Sequence, residues 1–355
     1  MYQPKFTITN DILANIGLIE AAREVVKNAP LIPVYEARFV RDALLRTVHH
    51  GTHLEGNDLS LAEAKRIIEG ENIIAGKRDV QEVINYRNVM KFIDGLEKEA
   101  RQGLHYGPRM IKKINEIVGE RIVIGEQAGR YRQEQVVLKD ERTDEVVFRP
   151  PAHIEVPFLM EDFFDWLNAT EGKKLHPVLR AGIAHYYLTA VHPFIEGNGR
   201  TARAFATLIL FAEGYDIKKF FSLEEYFDKD AERYYQALMT SDKQHQSLER
   251  RDLTNWLEYF TQAMAVELTR IKEQIKRLSL DVKVKRRVGY QIPLNERQIK
   301  LMEYLEESGS LTTGEARKIV PEYSDDTIVR DLNYFLKKGI VKKQGKTKAA
   351  KYIIK

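Results

Sequence analysis

The sequence predicts a mainly α-helical protein, with one β-hairpin set among the helices and a compact three-helix domain at the end. Three observations carry that expectation. Over most of the chain apolar residues recur at spacings of three and four, which lines one face of a helix. Short β-branched and aromatic runs appear around residues 130–149 and near the C-terminus. The 355 residues, 43% hydrophobic and 30% charged, form an ordinary globular composition and suffice for two or three domains.

Taken in order, residues 13–28 and 35–49 carry amphipathic spacing, and Gly51 interrupts the second helix. Ser60 with Glu63 is a capping box opening a helix over 61–69, which Gly70 stops. Another long helix covers 79–99. The texture changes near Gly125: runs at 130–138 and 145–149 flank a polar stretch at 139–144 and read as a hairpin, ended by Pro150-Pro151 because proline cannot donate to a ladder. Helical pattern returns at 157–168, 177–191, 202–213 (stopped by Gly214), 224–239 and 252–278. A basic run at 283–287 reads as a linker. From Asn295 three helices follow, through 307, over 313–320 and over 325–338, capped by Asn295 and Ser324 and closed by Gly339. Two strands, at 340–341 and 352–354, turn around Gly345. Three helices and a wing form the winged helix-turn-helix pattern. The expected division is an N-terminal helical region 1–104, a core 105–265, a linker 266–289 and the winged domain 290–355.

Composition excludes several chemistries. There is no cysteine, so there are no disulfides, thiolate zinc sites or cysteine nucleophiles, and the chain fits a reducing cytoplasm. No apolar run approaches ~18 residues, so no membrane span is expected, and the start lacks the basic and apolar regions of a signal peptide. The net charge of +4 is too small to imply nucleic acid by itself. No GxxxxGK[ST] or GxSxG motif occurs. His49 and His53 stand four apart, but no HExxH pattern accompanies them.

Chemistry concentrates in residues 192–203, between two apolar helical segments. Gly197-Asn198-Gly199 opens the second of these. Two glycines permit positive φ, and a helix N-terminus offers free N–H groups and the positive end of a dipole, which together suit a phosphate. Arg200 and Arg203 add charged donors near one face of the first turn. Glu196 beside an anion site makes sense if a cation such as Mg²⁺ lies between. His192 can act as a general base.

The run His192-Pro-Phe-Ile-Glu196-Gly-Asn-Gly-Arg200-x-x-Arg203 resembles the Fic signature HxFx(D/E)GNGRxxR at every fixed position. Gly129-Arg-Tyr-Arg132, the hairpin and Pro150-Pro151 resemble the family's flap, and Tyr234-Tyr235 its tyrosine pair near the adenine. The resemblance implies a Fic helical bundle and a protein adenylyltransferase that moves AMP from ATP to a Ser, Thr or Tyr hydroxyl of a target protein or of itself. On that footing His192 deprotonates the hydroxyl and Glu196 holds Mg²⁺. The backbone of Gly197, Asn198 and Gly199 cradles the phosphates, Arg200 takes the β-phosphate and Arg203 the γ-phosphate. Val146, Val147, Phe148 and Arg149 align the target by strand pairing. Glycine at 199, where Doc-type kinases carry lysine, implies AMP transfer.

Thr52-His-Leu-Glu55-Gly56-Asn57 resembles the inhibitory segment (S/T)xxxE(G/N) of family members restrained from their N-terminal side, which places it at about 42–57. Glu55 would occupy Arg203. The pattern departs at Gly51, where Ser or Thr is expected, and at Asp242, where the family often has Asn beside the adenine. Three functional readings stay open: an autoinhibited adenylyltransferase, a de-AMPylating phosphodiesterase in which Glu55 positions water, and a DNA-binding regulator that uses the Fic body as a sensor. Eight lysines and no acid between residues 337 and 355 make the wing basic, and Thr327, Arg330 and Asn333 form a modest base-reading set. A homodimer is open, and no membrane partner is implied.

Overall fold

The computed structural model describes residues 2–29, 31, 33–96, 103–139, 144–284, 294–345 and 350–354. The protein is mainly helical and divides into two compact units, Met1–Lys27 with Asp42–Lys272, and Asn28–Arg41 with Glu273–Lys355. The basic run at 285–287 and the hairpin tip at 140–143 lie outside the described residues.

The first unit is built on two helices, α8 (Pro177–Val191) and α9 (Asn198–Ala212). Almost every side chain of α8 from Val178 to Leu188 is buried, and so is α9 from Arg200 to Leu210. A helix that is apolar all round belongs in a core, which makes the pair a rigid mount for the loop joining them. Its other helices, in chain order, are α1 (Asn10–Lys27), α2 (Pro33–His53, of which residues 42–53 belong to this unit), α3 (Leu61–Ile68), α4 (Lys77–Gly95), α5 (Pro108–Val118), α6 (Val156–Asn168) and α7 (Thr170–Lys174). After α9 follow α10 (Leu223–Lys229), α11 (Ala231–Asp242) and α12 (Thr254–Val284, in this unit as far as Lys272). The Trp256 indole N–H donates to the Gly182 carbonyl at 2.7 Å, and Phe163 stacks on Tyr187 with centroids 4.6 Å apart. The hairpin is short: β1 (Leu138–Lys139) pairs antiparallel with β2 (Val146–Phe148).

Several elements differ from expectation. Helix α5 was not anticipated. The helix read over 224–239 is two, broken at Asp230, whose carboxylate caps α11 through the Arg233 N–H at 3.1 Å. Helix α2 does not stop at Gly51 but runs through it to His53. The reason is packing: a Cβ at 51 would lie 2.4 Å from Cε1 of Tyr86, a fully buried ring whose hydroxyl donates to Glu224 at 2.9 Å. The capping box at Ser60 and Glu63 forms as read.

The second unit carries α13 (Glu296–Ser308), β3 (Leu311–Thr312), α14 (Thr313–Ile319), α15 (Asp325–Lys337), β4 (Val341–Gln344) and β5 (Lys351–Ile354). Its core is Leu301, Leu305, Ile328, Leu332 and Phe335 with strand residues Leu311, Val341 and Tyr352. The sheet has three strands in the order β3-β5-β4, one more than the two read from sequence. Buried Asp331 accepts from Arg297 at 3.1 Å and from Gln298 at 2.8 Å, which pins α15 to α13.

Gly51→Ala should therefore destabilise the protein although alanine favours helix. Overpacking against the fixed Tyr86 ring outweighs the propensity gain, for a net loss of about 1–2 kcal/mol. The check is a lower urea midpoint at unchanged slope; a midpoint equal to the parent's contradicts the packing account.

Candidate active site

His192 ends α8 in the left-handed region, φ 51°, which costs a non-glycine residue energy and is held by its neighbours. Its backbone N–H donates to Leu188, and its Nδ1 lies 3.3 Å from the Thr189 carbonyl. A carbonyl only accepts, so Nδ1 carries the proton and Nε2 keeps a free lone pair. Burial pushes the imidazole pKa down to about 4; the Thr189 carbonyl and Glu55 oppose this, and the Arg132 charge adds to it. At neutral pH the ring is an uncharged base.

The turn is tied from inside. The Asn198 side chain folds back on Phe194, accepting from its N–H and donating to its carbonyl, both at 2.9 Å. Its amide therefore braces the loop, and only its backbone faces the turn. Gly197 has φ 73°, and a Cβ there would press on Val118 at 2.6 Å. Asn115 of α5 donates to the Glu196 carbonyl at 2.9 Å and accepts from Gly129 at 2.9 Å. It thereby joins the turn to the base of the hairpin.

Both arginines are buried, Arg200 at 3% and Arg203 at 2% exposure. Arg203 donates to the Gly51 carbonyl at 2.8 Å and to Glu55 Oε1 at 2.9 Å. Burial raises the Glu55 pKa, but the Arg203 and Arg200 charges and the hydrogen bond from Arg203 outweigh it and hold the carboxyl ionised. A Cβ on Gly199 would fall 2.2 Å from Glu55 Oε1, so the carboxylate lies directly on the turn. Glu82 of α4 stands 3.3 Å from Arg200 and is itself held by Asn57 at 3.0 Å. Arg78, one turn earlier on α4, ion-pairs with Glu196. Each charged group of the turn thus meets a counter-charge from residues 55–82. Arg200 Nε and Arg203 Nε remain buried without a hydrogen-bond partner, donors that an anion would satisfy.

The predicted residues separate elsewhere. Tyr234 is interior: its ring stacks on Phe227 at 4.9 Å and its hydroxyl meets His185 at 3.2 Å. Only Tyr235 is exposed, and it donates to the Leu54 carbonyl at 3.0 Å, anchoring the segment that carries Glu55. Asp242 is engaged by Tyr186 at 2.7 Å and Arg251 at 2.6 Å. Thr52 donates to Val48 and His49 carbonyls and caps nothing at Glu55. His50 and His53 share Asp228, at 2.7 and 2.8 Å. Val146 and Val147 are exposed, Phe148 is half-buried and Arg149 exposed; Val147, Phe148 and Arg149 line a cavity of about 950 Å³ together with Tyr187, Met239 and Asp242. Sequence reasoning missed Arg78, Glu82 and Asn115, because nothing local to those residues marks their distant partners. No helix among the described residues is long and apolar enough to cross a membrane.

Comparison with known proteins agrees with this geometry. Residues 106–210 match the model of the Fic/DOC family, and residues 297–345 match that of the DeoR-like helix-turn-helix domain. A protein adenylyltransferase Fic of Drosophila willistoni is 30% identical over 219 residues, 58% of this chain and 41% of that protein; one of Nematostella vectensis is 29% identical, over 59% and 48%. The chain thus spans less than half the length of these curated relatives. A Fic family protein of Desulfovibrio desulfuricans G20 shares the fold at TM-score 0.65 and 22% identity, covering 100% of this chain and 98% of that one. Fic-1 (aa134–508) of C. elegans matches at TM-score 0.56 and 25% identity, over 77% and 74%.

The imidazole of His192 should titrate near 4 by NMR, well below the usual ~6.5. The unfolded chain then takes up the proton first, so this group's contribution to stability is present above ~6.5 and is lost as pH falls toward 4. A midpoint within one unit of 6.5 contradicts the buried, neutral base.

Proposed function

We propose that this Fic-domain chain transfers AMP from ATP to a hydroxyl of a target protein, or of itself, and that Glu55 holds it inactive. The observation that carries the reading is the Glu55 carboxylate lying on the glycine turn and bound to Arg203, as a phosphate would be. His192 Nε2 takes the proton of the hydroxyl, whose oxygen bonds to the α-phosphorus while the bond to the β-phosphate breaks and pyrophosphate leaves. The backbone donors of residues 197–199 and the side chains of Arg200 and Arg203 meet the negative charge. Among the described residues β2 pairs with β1 alone, and its other edge supports an extended segment of the target pairing there.

Glu196 offers a hard carboxylate oxygen, one-third exposed, and already attracts one cation in Arg78, so it fits Mg²⁺. When bound, Mg²⁺ would neutralise phosphate charge. Arg78 competes for the same carboxylate, so the closed state masks the anion-binding and the cation-binding groups alike. Removal of AMP is the alternative reading, and it differs in needing Glu55. In the second unit, Arg330, Asn333, Lys342, Lys343 and Lys351 are exposed, which supports contact with a phosphate backbone; Thr327 is half-buried against Ser324, at 2.9 Å. Cytoplasmic residence belongs to the same reading.

With α-labelled ATP and Mg²⁺, Glu55→Gly should raise label incorporation at least tenfold, and Glu55→Gly/His192→Ala should abolish it. Equal labelling in parent and Glu55→Gly refutes the brake, and labelling that survives loss of His192 refutes the transfer mechanism. In the Glu55→Gly background, Arg78→Ala should lower the Mg²⁺ concentration for half-maximal labelling threefold or more; an unchanged requirement removes Arg78 from the account.

A further inference from the structure

We propose that Arg132 is a positioning residue for this reaction, its guanidinium holding the substrate-bearing hairpin at a fixed distance from the catalytic imidazole; the inference rests on the transfer reading above. Arg132 Nε donates to the His192 carbonyl at 2.9 Å, Nη1 to Glu134 at 3.1 Å, and Nη2 to Pro151 and, at 3.5 Å, to Val191. Its own backbone N–H donates to Pro193 at 2.9 Å. These carbonyls come from three places: the end of α8 at the base itself, the leg of the hairpin entering β1, and the leg leaving β2. Gln135 adds a second rung by donating to Pro150 at 3.1 Å.

Two features set this apart from ordinary structural bonding. First, the side chain is 4% exposed and its hydrogen-bond partners are backbone carbonyls, with no carboxylate among them. Burial of a cation without a counter-ion is costly, and an apolar residue would serve packing alone at less expense. Second, only a guanidinium presents donors in a rigid planar fork that reaches several diverging carbonyls at once. The arrangement fixes one distance, that between the β2 edge, where the target is aligned, and His192, where its proton goes. Displacement by about 1 Å at a reacting centre can cost ~100-fold in rate. The same positive charge lies close enough to the imidazole to favour its neutral form.

The test uses the full chain in the Glu55→Gly background, with Arg132→Lys and Arg132→Gln. Arg132→Lys keeps the charge and loses the fork. It should lower kcat for labelling at least tenfold while the Kd for α,β-methylene-ATP stays within threefold. Amide exchange should speed at residues 133–138 and 144–149 and stay unchanged in α8 and α9. Arg132→Gln should add an upward shift in the acid limb of the pH–rate profile, which Arg132→Lys should not. A kcat within twofold of the parent for Arg132→Lys overturns the proposal. So does a Kd that weakens in proportion to kcat, or faster exchange in α8 and α9, since either assigns Arg132 to general support of the fold. If the Glu55→Gly parent takes up no label, the transfer reading fails, while the exchange comparison still decides whether Arg132 ties the hairpin to the base.

Discussion

The buried Arg203 guanidinium meets its charge with a carboxylate, and the glycine turn of the first unit is arranged around that pair. The arginine sits on a helix packed on all sides, so it cannot swing out to water. The negative group that meets it is Glu55, which follows the end of α2 on a segment anchored by Tyr235, while the Gly51 carbonyl accepts a second hydrogen bond from the same guanidinium nitrogen. A phosphate arriving at Arg203 would have to compete with that carboxylate for one place.

The same logic extends over the turn. Glu82 answers Arg200, and Arg78 answers Glu196, both from α4. Asn57 connects them to the Glu55 segment through its bond to Glu82. Opposite charges are thereby matched within the protein itself; the Glu82–Arg200 pair is buried and less screened by salt than the Arg78–Glu196 pair, whose arginine is exposed. His192 stands apart from this exchange. Its neutrality comes chiefly from burial, and its tautomer from the Thr189 carbonyl.

How much of this was legible in the sequence follows from range. The turn is twelve contiguous residues, so its glycine turn and the charges it carries could be read directly from the segment 192–203. Helix α5 was also signalled, by Pro108 at its first turn, Ile111, Ile114 and Val118 on one face and Gly119 at its end. The break at Asp230 was hidden because apolar periodicity continues across it. Gly51 misled because propensity says helix breaker, whereas the contact with Tyr86, 35 residues on, says glycine and nothing larger. Asn115, Arg132, Arg78 and Glu82 meet the turn at Glu196, His192 and Arg200, partners 60 to 118 residues away, and two of those contacts are to backbone carbonyls, which carry no residue identity to recognise.

The oxygen of Glu55 occupies the space that any Cβ at position 199 would need. A side chain gained at 199 would therefore have to push that carboxylate aside, which makes the bare glycine and the Glu55–Arg203 ion pair linked traits, each inherited on the condition of the other.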